Sequence, residues 1–203
     1  RMAWAVVLLT ALLVPALEQE HLRAAPNVGE LHHYWDYPSP PGEGWADRLL
    51  ELLGGVRYLG VEPTLTQEIA AQLRRPSPRV LPLVETLRLV KSPAEVEMLR
   101  RAAHYADLGM VKILAASYYG VSEIEIFSQG RSVQMDIIKK TQFDPLTTNV
   151  LTATWPAPAS AMPHGVPSVG DRLRQGPHIG LSFMRVNGYG AECERTYFVA
   201  PPD

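Results

Sequence analysis

Apolar positions recur along this chain at two spacings, and the change from one to the other near Phe143 divides the predicted elements. From Val96, the residues Leu99, Ala103, Ala106, Met110 and Ile113 return every three to four positions. That spacing marks one face of a long helix reaching toward Tyr119. Ser92-Pro93-Ala94-Glu95 opens it as a capping box with proline at the first helical position, and Gly120 stops it. Ser122-Glu123-Ile124-Glu125 opens a second helix by the same device, with a less regular face of Ile124, Phe127, Met135 and Ile138. After Phe143 the pattern turns to strand and turn. Asn149–Thr154 is a predicted strand and Trp155–Pro167 a proline-punctuated loop. His178–Val186 and Tyr189–Val199 are strands flanking Asn187-Gly188. Asn-Gly between two such runs predicts a hairpin, because both turn positions need positive φ.

Ahead of Lys91 the elements are shorter. Arg1 followed by an uncharged run and Val14-Pro15-Ala16 imitates a secretory signal. As a helix such a run spans only about 24 Å, short of the roughly 30 Å hydrocarbon core. The preferred reading is a buried strand, Val6 to Val14, before a polar segment from Glu18 to Arg23. Residues 36–44 are a proline- and glycine-rich loop. Trp45–Leu53 is a short amphipathic helix stopped by Gly54-Gly55, Val56–Val61 has β character, and Thr64–Leu73 reads as helix. Alternating helix and strand predicts a small α/β domain over residues 1–82. Its boundary is the three-proline stretch Arg74–Pro82, and a second domain covers 83–203.

Composition narrows the function classes. A net charge of −2 over 203 residues gives no general electrostatic reason to bind nucleic acid or a lipid surface. A single cysteine, Cys193, excludes an internal disulfide framework and fits a reducing, cytoplasmic setting. It sits in a predicted strand and reads as a small buried residue. The initial Arg in place of Met is consistent with a fragment.

Phosphate-loop, nucleophile-elbow and His-Glu-x-x-His motifs are absent. Two other features carry chemistry. Met162-Pro163-His164-Gly165-Val166-Pro167 holds a histidine between prolines and beside a glycine. Glu192-Cys193-Glu194-Arg195-Thr196 puts two carboxylates at i and i+2, on one strand face. Like charges so placed repel, which raises a pKa or demands a cation. Beside a fixed histidine, the pair suits acid–base work or part of a metal site.

Taken in order, Lys91-Ser92-Pro93-Ala94-Glu95, the long helix, Gly120-Val121-Ser122-Glu123, Pro163-His164-Gly165-Val166-Pro167 and Gly188-Tyr189 through Glu194-Arg195-Thr196 resemble the pita-bread hydrolases. These include aminopeptidase P, prolidase, methionine aminopeptidase and creatinase. The resemblance implies an α/β creatinase-type N-terminal domain, incomplete at its start, followed by the first half of an α+β pita-bread catalytic domain. It further implies a homodimeric hydrolase of C–N bonds, acting on a small peptide or small-molecule substrate, most often beside proline. His164 falls on the family's substrate-side histidine. Catalytic roles go to His164 and Glu194, and substrate contacts to His164, Tyr189 and Arg195.

The peptidase branch holds two divalent ions (Mn, Zn or Co) with two aspartates, a histidine and two glutamates. Here Glu192 stands at the second aspartate. The first, 11 residues earlier, is replaced by Leu181. A two-residue turn at Asn187-Gly188 pairs Phe183 with Glu192 and Leu181 with Glu194, so Leu181 is expected to face the site. Ser182 would need a one-residue slip, which turns its side chain to the opposite face. Creatinase, a metal-free relative, offers an alternative: it matches His164 and Glu194 but has no counterpart of Glu192. A third reading is a non-catalytic binding protein on the same fold. The family's remaining metal ligands lie downstream of the second hairpin strand, so the resemblance also implies that this stretch alone is inactive.

Overall fold

The computed structural model describes residues 10–26, 28–73 and 77–201. The chain divides into two compact units, Arg1–Val90 and Lys91–Asp203.

The first unit contains two small parallel pairings. β1 (Ala11–Pro15) pairs with β2 (Glu30–Tyr34), and β3 (Gly60–Val61) with β4 (Arg79–Val80). A 3-10 turn at Ala16–Glu18 leads into α1 (Gln19–Leu22). The other helices are α2 (Trp45–Leu52), α3 (Gln67–Gln72) and α4 (Leu83–Arg88). The strand expected over Val6–Val14 is present from Ala11, while Val6 to Leu9 lie outside the described residues. The β segment expected over Val56–Val61 shrinks to Gly60–Val61. The first unit extends past the expected boundary at Pro82 because α4 is tied back to it. The Leu81 N–H donates to the Val61 carbonyl (2.9 Å), and the Val84 N–H to Glu62 Oε1 (3.0 Å).

The second unit is a three-stranded antiparallel meander with two helices on one face. Its strands are β5 (Asn149–Trp155), β6 (His178–Val186) and β7 (Tyr189–Tyr197), in the order β5-β6-β7. Its helices are α5 (Pro93–Ala116) and α6 (Glu123–Lys140). The α5 cap is as expected: the Glu95 N–H donates to the Ser92 hydroxyl, and the Ser92 N–H to the Glu95 carboxylate. Asn187 (φ 48°) and Gly188 (φ 86°) make the hairpin turn with the expected register, Val186 opposite Tyr189.

The buried faces of both helices differ from the apolar patterns. On α5 the stripe is Ala102, Ala106, Gly109, Met110 and Ile113, with Ala103 exposed. On α6 it is Glu123, Ile126, Gly130, Val133, Gln134 and Ile137, whereas Ile124, Phe127 and Met135 are exposed. Close backbone approach explains both. A Cβ on Gly109 would run into Ser182 Oγ and Met184 Cε, and one on Gly130 would lie 3.0 Å from Thr152 Oγ1. Each helix therefore meets the sheet at a glycine, which no hydrophobic count registers. Polar groups at the contact between α6 and β5 find partners: Gln134 Nε2 donates to the Thr148 carbonyl (2.8 Å), and Thr152 Oγ1 of β5 to that of Ile126 (3.0 Å).

β6 alternates strictly. His178, Gly180, Ser182, Met184 and Val186 are buried against the helices, while Ile179, Leu181, Phe183 and Arg185 face the other way. A core of Ala102, Ala106, Met110, Ile113, Ile126, Val133, Ile137, Met184 and Val186 fills the helix side. The opposite face of the sheet is left to the site.

Candidate active-site cleft

Strand register builds the site. On the face away from the helices, one row across the sheet is Leu151, Phe183 and Glu192. The next is Ala153, Leu181 and Glu194, and the third is Trp155, Ile179 and Thr196. The outer strand β7 thus supplies both carboxylates, about 7 Å apart along the strand, and the two inner strands present an apolar wall. Neither carboxylate has a hydrogen-bond or ion-pair partner among the described residues.

The loop after β5 brings the histidine. Trp155, Ser160, Ala161, Met162, Pro163, His164, Ile179, Leu181, Glu192 and Glu194 line one open cleft of about 520 Å³. The Gly165 N–H donates to the Met162 carbonyl (3.1 Å), closing a β-turn with Pro163 and His164 at its centre. His164 has φ 54°, a left-handed conformation that costs a residue with a Cβ about 1 kcal/mol or more. Proline at the second position and positive φ at the third is the type II pattern, in which glycine or asparagine ordinarily takes the third place. The imidazole is held there at an energetic cost.

Both ends of this loop are clamped by a second histidine that the sequence reading took only as the start of a strand. His178, at the start of β6, is fully buried. Its Nδ1 accepts from the Ala157 N–H (3.2 Å), so its Nε2–H donates to the Arg174 carbonyl (2.9 Å). Its place as the first inward residue of an alternating strand was the available signal.

Of the five residues given roles from the sequence, the structure brings His164, Glu192 and Glu194 into one cleft, and Leu181 faces it from β6 opposite Glu194. Tyr189 and Arg195 are not among the cleft residues. They sit at odd positions of β7, which turn toward the helices. The Tyr189 hydroxyl reaches Glu95 Oε1 (3.5 Å), and Arg195 Nη1 donates to the Glu194 carbonyl (2.6 Å). Cys193 is buried on that same side, and burial pushes its thiol pKa up, as suits an inert core residue. Ser182 is fully buried on the helix side, so it makes no contribution to the cleft.

An antiparallel meander backed by two helices, with its exposed face opening onto a loop histidine, has clear counterparts. The prolidase from Pyrococcus horikoshii superposes with a TM-score of 0.70 at 20% identity, over 95% of this chain and 52% of that one. The chain carries part of the pita-bread fold. Sequence relatives agree with that placement. An Xaa-Pro dipeptidase of Pyrococcus furiosus is 24% identical over 164 residues, covering 77% of this chain and 45% of the relative. An uncharacterized peptidase of Bacillus subtilis is 34% identical over 125 residues, covering 59% and 32% respectively. No family model matches the chain. The chain therefore spans about half the length of the pita-bread proteins it matches.

A pita-bread metal pair of the expected kind needs several oxygen and nitrogen donors converging on one point. Among the described residues, no three His, Cys, Asp or Glu side chains form such a group. Leu181 carries no donor atom, and the β5 residues in the three rows beside the glutamates are Leu151, Ala153 and Trp155. The described residues do not fit a two-metal centre by themselves.

Proposed function

We propose that the complete protein is a C–N bond hydrolase of the Xaa-Pro peptidase kind, with an altered metal site. The observation that carries this reading is the convergence of His164, Glu192 and Glu194 on one cleft, set by the β6–β7 register and the turn at His164. His164 is placed to touch the substrate and to move a proton at the scissile bond, and the carboxylates to hold a positive group or act as base. Apolar Leu181, Ile179 and Trp155 suit the body of a small peptide. Relatives named Xaa-Pro dipeptidase support the peptide class. In this reading the first unit, Arg1–Val90, is the creatinase-type domain, the second is the first half of the catalytic domain, and the working form is a cytoplasmic homodimer.

A second reading, metal-independent hydrolysis as in creatinase, is favoured by Leu181. An aliphatic side chain opposite Glu194, where the metal pair needs a carboxylate, disrupts that pair but leaves Glu192 and Glu194 free to grip a cationic group by charge-assisted hydrogen bonds.

The test is turnover of Xaa-Pro dipeptides and of creatine by the purified complete protein, alongside metal analysis. Xaa-Pro hydrolysis lost in His164→Ala is expected. Full activity in that variant overturns both readings. Fewer than about one divalent ion per chain, with activity intact, selects the metal-free one.

A further inference from the structure

We propose that Trp155 is the positioning residue for His164. Trp155 ends β5, on the same face as Leu181 and the two glutamates, and its indole Nε1–H donates to the carbonyl of Gly165, the residue after His164. That bond pins the exit of the Met162–Gly165 turn to the sheet, while the Gly165 N–H pins its entry to Met162. The turn needs such a tie because it holds a non-glycine residue at φ 54°, a conformation that relaxes when the surroundings do not impose it.

Geometry leaves few other ties. His164 is exposed and has no hydrogen bond of its own among the described residues. The His178 clamp acts at Ala157 and Arg174, some distance along the loop on either side. The Ser160 hydroxyl donates to the Pro177 carbonyl, again away from the histidine. The indole N–H is therefore the bond that joins the strand bearing the cleft wall to the residue beside the imidazole. The indole ring also lines the cleft, so one side chain both shapes the wall and ties down the turn that carries the imidazole into the cleft it shares with Glu192 and Glu194. Phenylalanine keeps an aromatic wall and loses the tie.

The positional part of this proposal is independent of turnover, and only its kinetic consequence rests on the proposed function. The experiment uses the full chain with isotope-labelled histidine and tryptophan. In Trp155→Phe, the His164 imidazole resonances are expected to move toward random-coil values and to show fast side-chain and loop motion, with those of His178 unchanged. Unshifted, equally rigid His164 resonances overturn the proposal. Should the variant misfold, the parent protein decides: the Trp155 indole proton is expected to exchange with solvent at least about tenfold more slowly than a free indole, as a bonded N–H does. Exchange at the free rate overturns the proposal. In the complete enzyme, Trp155→Phe is expected to lower kcat about tenfold with KM within about twofold, because a misplaced catalytic group is lost mainly from the transition state. A His164 shift without any parental turnover would sink the hydrolase reading and leave the positioning role standing.

Discussion

At the scale of single residues, two side chains sit where stability alone would not put them. His164 occupies a left-handed position that glycine tolerates freely. His164→Gly is expected to raise unfolding free energy by about 1 kcal/mol in urea titration while abolishing any activity that depends on the imidazole. A loss of stability would mean the ring makes packing contacts that outweigh the strain. Ser182 is the second case. Its hydroxyl is fully buried against Gly109 and has no hydrogen-bond partner among the described residues. Ser182→Ala removes that unpaired group and is expected to stabilise the chain by about 1 kcal/mol. An unchanged or lower denaturation midpoint would show that the hydroxyl is satisfied, for instance by an internal water. Glu192 and Glu194 need their own face of β7. Their two-residue spacing and, through the Asn187-Gly188 register, the Leu181 beside them were readable from sequence, whereas Trp155 was not, because it comes from a third strand.

At the scale of elements, the start of α6 carries opposed electrostatics within a single turn. Glu125 accepts from the Ser122 N–H (3.0 Å) and hydroxyl (2.6 Å), and these bonds hold its carboxyl below the usual carboxylate range. Glu123 is buried. Desolvation raises its pKa, a hydrogen bond from the Thr154 backbone pulls it down in part, and Asp171 adds to the rise. A raised folded-state pKa means that the Glu123 contribution is fully present in acid and is lost as pH climbs through the carboxylate range. Glu123→Gln keeps an acceptor for Thr154 and removes the titration. Its stability relative to the parent is therefore expected to increase from acid to neutral pH and then level off. A difference that is flat with pH, or that shrinks toward neutrality, would refute the assignment. Helix starts of this kind are strongly written in sequence, since Ser-Pro-x-Glu and Ser-x-x-Glu satisfy the end amides locally. Helix faces are not. α6 exposes Ile124, Phe127 and Met135 and buries Glu123 and Gln134, because the sheet meets it at Gly130 and supplies partners for its polar groups.

Across the whole molecule, burial is unevenly shared. The contiguous hydrophobic core, from Ala102 to Cys193, belongs to the second unit, whereas the buried apolar residues of the first, among those described, are Val14 and Leu73. Apolar burial is the main term opposing chain entropy, so the two units should differ in stability. Calorimetry or urea titration is expected to show two transitions, the earlier belonging to residues 10–90. Amide exchange should be slowest in α5, β6 and β7. A single transition with uniform protection would show that the units unfold as one.

The sequence by itself determined what depends on near neighbours: the caps of α5 and α6, the Asn187-Gly188 turn and, through that turn, the pairing of Leu181 with Glu194 and Phe183 with Glu192. It also carried the family resemblance, which rests on ordered local motifs. The turn of Tyr189 and Arg195 away from Glu192 and Glu194 follows from strand alternation alone. Only the tertiary structure decided which faces of α5 and α6 are buried and that the cleft wall includes Trp155. Those outcomes depend on which strand lies beside which, and on how closely the helices approach the sheet at Gly109 and Gly130, quantities set by contacts between residues far apart in the chain.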